Sequence, residues 1–303
     1  MDIMLHNKTH FFKYCTSDAL EKVLTKHTFK WSSPTLFNDP FDIQTDFRFG
    51  FDFDDLAEPL LQEQIKIVWD DNEPEGNADH PLFKAMLETR KNRIANPNTR
   101  SRAEFEKFFR EVAYDKKKIE ETSKENERWW KDLREDLRVY CVSEVHDDIL
   151  MWAHYADSHS GAVIKHKVIP GKDYAICAAR PVRYDDKMPI IADIDTYIKH
   201  ITGQKELDYN ELFINFSTTQ SRHWAYEKEW RCVGSASRKN MEIFNLYKFN
   251  PEEIEAIYFG CRMREDTRLK IIKLLSTNFS HVRLFQGRTH PKNYKLDFDS
   301  IRS

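Results

Sequence analysis

The chain has 303 residues, 40% hydrophobic and 13% aromatic, which is enough for a sizeable core within one large domain. Its 47 basic residues nearly balance 50 acidic ones, and a formal charge of −3 excludes a global electrostatic case for nucleic acid or an anionic membrane. The five cysteines, Cys15, Cys141, Cys177, Cys232 and Cys261, are odd in number and form no C-x-x-C, so neither a disulfide framework nor a zinc site is expected.

No apolar run approaches the ~18 residues that span a bilayer. The start, "MDIMLHNKTH", lacks the apolar stretch of a signal peptide. A cytoplasmic protein without a membrane partner is expected.

In chain order, "HFFKYC" predicts a strand with His10, Phe12 and Tyr14 on one face and Phe11 and Lys13 on the other. "TSDALEKVLTKH" predicts a helix capped by Thr16 or Ser17, with Leu20, Val23 and Leu24 on one side. "TFKWSSPTLF" is a second extended run and ends in "NDPFD". There Asp39 and Asp42 either arrange turns through their own backbone, with Phe41 and Phe47 anchoring the loop, or Asn38 and Asp39 face a cleft. Residues 54–138 read as a helical insertion with solvated charge runs and a stripe marked by Phe105, Phe108, Phe109 and Val112. Such an insertion can hold a partner protein or self-associate.

β character returns with "VYCVSE", which sets Ser143 and Glu144 at a strand end, as site residues or as a cap for the next helix. "DDILMWAHYAD" predicts a compact helix started by Asp147 or Asp148, with Met151 and Tyr155 as a core pair and His154 partly buried. "GAVIKHKV", "AICAARPVRY" and "HWAYEKEWRCVG" read as strands, "IADIDTYIKHITG" and "YNELFINFSTTQ" as helices. The tail gives a strand, "IEAIYFG", the helix "EDTRLKIIKLLSTN", and two more strands. The sum is α+β: one domain over 1–303, a mostly β core with flanking helices, and the insertion at 54–138.

The strongest chemical candidate is "WAYEKEWR". If extended, it puts Trp224, Tyr226, Lys228 and Trp230 on one face and Ala225, Glu227, Glu229 and Arg231 on the other, successive side chains ~7 Å apart. Two carboxylates beside a guanidinium can bind a ribose, polarise a nucleophile or hold a metal. As a helix, the same stretch would pair Glu227 with Arg231 at i,i+4. No Walker A, G-x-G-x-x-G, H-E-x-x-H or G-x-S-x-G occurs. With eight glycines in the chain, a nucleotide has to be held by side chains and isolated backbone amides.

Together, "NDPFD", "MWAHYAD" and "YEKEWR", in this order, resemble a widespread bacterial domain family of unknown function. That family often carries a Lys shortly before the Trp of the last motif, where this chain has "TTQSRHW" with Gln220 and Arg222. More loosely, a polar residue on the first strand, a strand-end Ser and a late Glu-x-Glu are similar to the layout of ADP-ribosyltransferases. That resemblance implies NAD as the molecule used, with Glu229 as catalytic carboxylate, Glu227 as its companion, Ser143 at the strand end, and Lys13 or His10 in the first position. It further implies cofactor contacts from Tyr14, Asn38, Asp39, Trp152, Tyr155 and Arg231, with Trp31 or Tyr155 stacking on nicotinamide.

Three functions follow as expectations. The first is an NAD-using transferase or NAD-cleaving enzyme, as in a bacterial toxin or phage-defence effector. The second is a module that senses a nucleotide-like small molecule without turnover. The third is a metal-dependent nuclease using Asp39, Asp42, Glu144 and Glu229, against which the balanced charge counts.

Overall fold

The computed structural model describes residues 5–45, 48–97, 101–112, 116–172, 174–236 and 243–301. The elements run β1 (His10–Cys15), α1 (Ser17–Lys26), β2 (Thr28–Ser32), α2 (Ala57–Trp69), α3 (Pro81–Ala95), α4 (Arg102–Val112), α5 (Lys116–Asp136), β3 (Leu137–Ser143), α6 (Ile149–Tyr155) and β4 (Ala162–Lys167). They continue α7 (Tyr174–Cys177), β5 (Arg180–Pro181), β6 (Arg183–Asp185), α8 (Ile194–Ile201), α9 (Tyr209–Ser217), β7 (Thr219–Ser221), β8 (Glu229–Ser235), β9 (Phe244–Lys248), β10 (Ile254–Phe259), α10 (Glu265–Asn278), β11 (Arg283–Thr289) and β12 (Leu296–Ile301). The class is α+β.

The chain divides into two compact units. The first comprises Met1–Gln44, Leu133–Met188 and Ser217–Ser303. It is built on a ten-stranded sheet ordered β12-β11-β10-β4-β1-β3-β2-β9, with β8 on the other edge of β3 and β5 beyond β8. Its pairs are antiparallel except β10 and β11, which are parallel and joined through α10. Strand alternation sorts two cores. Phe11, Ile164 and Ile257 face α1 and α10, whereas Phe12, Tyr14, Val163 and Tyr258 face α6.

Side-chain caps set the helix starts. Thr16 accepts from Ala19 N at 3.1 Å, and Asp148 accepts from Leu150 N and Met151 N at 2.9 and 3.0 Å. After α6, three successive non-glycine residues, Asp157, Ser158 and His159, take φ of 49, 51 and 72°, each at a steric cost. The tight corner presses on glycine: a Cβ at Gly260 would lie 2.0 Å from His159 O.

One seam in the sheet positions the site. β3 pairs with β8 over seven residues, from Leu137↔Ser235 to Ser143↔Glu229. On its other edge it meets β1 only at Phe12↔Ser143 and β2 only at Ser32↔Val139. The opening beside β1 is bridged by a side chain: Lys13 Nζ donates to Cys141 O at 2.7 Å and lies 5.0 Å from the centre of the Tyr140 ring.

The second unit comprises Thr45–Asp132 and Pro189–Phe216, where spacing along the chain placed an insertion at 54–138. The difference has a packing reason. Ile198 of α8 is buried in one cluster with Leu61, Ile65 and Val68 of α2 and Phe83 of α3, so a distant segment belongs to this unit. Residues 137 and 138 instead open β3. Phe105 and Phe109 are buried as expected of a stripe, but Phe108 is exposed. Arg90 is buried because it donates to Ile67 O and Asp70 O, covering carbonyls at the end of α2.

Three further segments depart from their sequence reading. "AICAARPVRY" is a short helix and two short strands, not one strand. "YNELFINFSTTQ" ends as α9 at Ser217 and passes into β7. Arg222–Glu227 is a 3-10 helix, and Lys228, at φ 43°, turns the corner into β8. The alternation over Trp224–Arg231 therefore applies only from Glu229 onward.

Candidate active site

The bend "NDPFD" is held by Asp39. One carboxylate oxygen accepts from Phe41 N at 2.8 Å and the other from Trp224 Nε1 at 2.7 Å. Phe41 is 62% exposed and anchors nothing, and Phe47 lies outside the described residues. The bend delivers Asp42 beneath the surface, 4% exposed, against Arg231.

Arg231 is the hub, at 1% exposure. Its Nη1 and Nη2 donate to Asp42 Oδ1 and Oδ2, both at 2.7 Å. Nε and Nη2 donate to Glu229 Oε1 and Oε2 at 3.1 and 2.8 Å, and Nη1 also donates to Ser217 O at 3.0 Å. Every N–H of the guanidinium is then engaged, which leaves none for a ligand. Arg231 was expected to bind cofactor; it instead fixes two carboxylates. Burial, with the neighbouring Glu229 charge and against the attraction of Arg231, pushes Asp42 up to about 6.

Above the hub, in the first unit, lies a cavity of about 360 Å³. Ser143, Glu229, Glu227, Tyr155, Asn38 and Lys13 all reach it, and Phe12, Tyr14 and Phe37 supply aromatic walls. Glu227 is 4% exposed and accepts from the Tyr155 hydroxyl at 2.6 Å. Burial first, then the charge of Glu229, pushes its carboxyl up to about 7 from the usual 4.5. Burial and Glu227 likewise push the Tyr155 phenol far up, which keeps it a neutral donor, with Asn38 beside it.

The other candidates are placed as follows. The Ser143 hydroxyl donates to Glu227 O at 2.5 Å and accepts from Val145 N at 3.1 Å, so it holds the 3-10 turn of Glu227 against β3. The Tyr14 phenol is buried, which pushes its pKa up. Asp39 is occupied by the bend and does not line the cavity. Trp152 was expected to touch cofactor but is 0% exposed, its Nε1 donating to His146 O at 2.7 Å, and it is core. Trp31, the alternative stacking partner, lines a different cavity. Glu144 turns away to Lys8 and to Trp230 Nε1, both at 2.7 Å, so the four carboxylates of the nuclease reading do not converge. Among the described residues no group of three or more His, Cys, Asp or Glu is arranged to hold a metal.

Sequence reasoning missed three residues. His154 was expected to be partly buried but is exposed and lines the cavity. Gln220 is 8% exposed and donates to Asp42 Oδ2 at 3.3 Å; its Oε1 has no partner among the described residues. Asp42 had been read as a turn residue or metal ligand, since nothing in the sequence ties it to Arg231, 189 positions away. The "TTQSRHW" departure was the one signal that pointed near Gln220.

The fold and site thus define an α+β protein with a split sheet and a buried carboxylate–arginine cluster under a small cavity. Residues 151–232, which carry Tyr155, Gln220, Glu227, Glu229 and Arg231, match a family model described as "Protein of unknown function (DUF2971)". No curated protein and no solved structure matches the chain significantly. Among the described residues no helix is long and apolar enough to cross a membrane.

Proposed function

We propose that the chain cleaves NAD at the nicotinamide–ribose bond, as an ADP-ribosyltransferase-like or NAD-hydrolysing enzyme. The observation that carries this reading is the inequality of two carboxylates in one cavity. Glu229 is fixed by two hydrogen bonds from Arg231, whereas Glu227 has a proton affinity raised to about 7. The first suits a stationary negative charge and the second a group that exchanges a proton near neutrality.

Asp42, Glu227 and Glu229 stand against Lys13 in the lining and Arg231 beneath it, three carboxylates to two cations, a balance that favours a cationic ring such as nicotinamidium over an anion. The volume, about 360 Å³, suits the nicotinamide–ribose end and leaves the diphosphate outside. On cleavage the C1′–N electron pair leaves with nicotinamide, which departs neutral. Glu229 faces the oxocarbenium-like ribosyl carbon that remains. Glu227 takes the proton of the attacking water or acceptor hydroxyl as its oxygen bonds to C1′. The Tyr155 hydroxyl orients Glu227.

The test is release of free nicotinamide from NAD by wild type, Glu229→Gln and Glu227→Gln, with circular dichroism as the control for folding. Wild-type turnover that both variants abolish is the expected result. Stabilisation by NAD without release would support the sensing module in its place, and the absence of both release and stabilisation would overturn the reading. In cells, growth arrest on expression of wild type but not of Glu227→Gln would support an effector role.

A further inference from the structure

We propose a second ligand site, for a nucleoside phosphate, in the cavity on the opposite face of β3. Tyr140 lines this cavity while its neighbour Cys141 lines the first, as successive residues of a strand face opposite ways. The volume is about 530 Å³. The site and its test are independent of NAD cleavage.

Three features define the ligand. The walls are aromatic: Trp31 stacks on Tyr140 with centroids 5.8 Å apart and 12° between planes, Phe29 on Phe249 at 4.3 Å, and half-open Tyr247 leans on Trp31 at 4.8 Å. Of these rings Tyr247, 38% exposed, has a face open to a planar ring. The lining also includes a buried polar pair, His166 Nε2 and Glu253 Oε2, 3.6 Å apart and 1% and 3% exposed at their side chains. Glu253 is set there by its 3-10 turn, where it accepts from Asn250 N at 2.9 Å. Finally, Lys172 and Lys248 stand exposed in the lining. Lys172 pairs with exposed Glu252, at 2.6 Å, an ion pair that a phosphate can displace at little cost. Lys248 is then left to draw an anion, and Lys172 joins it once a phosphate displaces Glu252.

The strand leaves the space open at Gly234. A Cβ there would meet nothing closer than Trp31 Cζ3 at 3.6 Å, so a larger side chain can enter the cavity without a backbone clash. Its backbone is not in the left-handed region, so a side chain adds no conformational strain.

Calorimetric titration of the full chain with AMP, GMP, adenosine and inorganic phosphate tests the site. AMP or GMP should bind wild type and Glu229→Gln alike. Gly234→Leu should weaken that binding by about tenfold or more through occlusion. Replacing Lys172 and Lys248 together with Ala should weaken the nucleotides about tenfold and leave adenosine unchanged. Should Gly234→Leu fail to fold, the exposed lysine pair decides alone. No binding of either nucleotide at millimolar concentration overturns the proposal. So does binding lost in Glu229→Gln but kept in Gly234→Leu, or phosphate alone binding as tightly as AMP.

Discussion

Replacing Glu227 by Gln should stabilise the protein at high pH and leave it unchanged at low pH. In the folded chain the carboxyl is pushed from its ordinary 4.5 up to about 7, by burial first and the Glu229 charge second, against the Tyr155 hydrogen bond and Arg231. A group whose folded pKa is raised contributes stability that is complete below about pH 4.5 and is lost as pH climbs through about 7. A displacement from 4.5 to about 7 corresponds to about 3 kcal/mol at 1.36 kcal/mol per unit. Gln keeps an oxygen for the Tyr155 hydroxyl but carries no charge, so that cost disappears. The variant should be more stable than wild type by up to about 3 kcal/mol at pH 8, with the gap closing by pH 4. Urea unfolding of both proteins from pH 4 to 8, followed by tryptophan fluorescence, measures it. Asp42 titrates in a neighbouring range and in the same direction, so the difference between the two proteins is the relevant quantity. Parallel pH profiles, or a variant less stable at pH 8, would refute a strained carboxylate. Gained stability with lost NAD cleavage would mark a site kept at a cost to the fold.

Arg231→Met should destabilise by about 3–5 kcal/mol, because it leaves Asp42 and Glu229 buried without their partner; chemical denaturation reads the loss. Gly260→Ala should cost about 3 kcal/mol or more, since its Cβ would sit 2.0 Å from the carbonyl oxygen of His159, and a fall in melting temperature reports it. Ser158→Gly should raise stability by up to about 1 kcal/mol by relieving a φ of 51°, visible as a higher melting temperature. Trp224→Phe removes the indole donor to Asp39 and should cost about 1 kcal/mol while loosening the bend that carries Asn38 and Asp42, read by urea unfolding.

Much of the fold was legible where a local signal sufficed. Thr16 and Asp148 announce their helices, and Phe11 against Phe12 and Tyr14 announces a strand buried on both faces. Legibility failed where a residue's neighbours come from far along the chain. Trp152 carries the composition of a stacking platform, but the sequence does not show that α6 turns it into the core. Arg231 looks like an anion binder until Asp42 arrives from the bend. The reach of the helical unit into 189–216 is invisible to periodicity, because α8 carries its own amphipathic pattern whichever unit it joins.

The sequence by itself determined the α+β class and the bend at "NDPFD", since caps, alternation and turn chemistry act over a few residues. Only the tertiary structure decided which of these groups are free. Asp39, Ser143 and Arg231 are used up by internal hydrogen bonds, while Glu227, Tyr155, Asn38 and Gln220 face a cavity. The physical reason is that hydrogen-bonding capacity is finite. Whether a polar side chain serves the fold or a ligand depends on which partners the folded chain brings to it first.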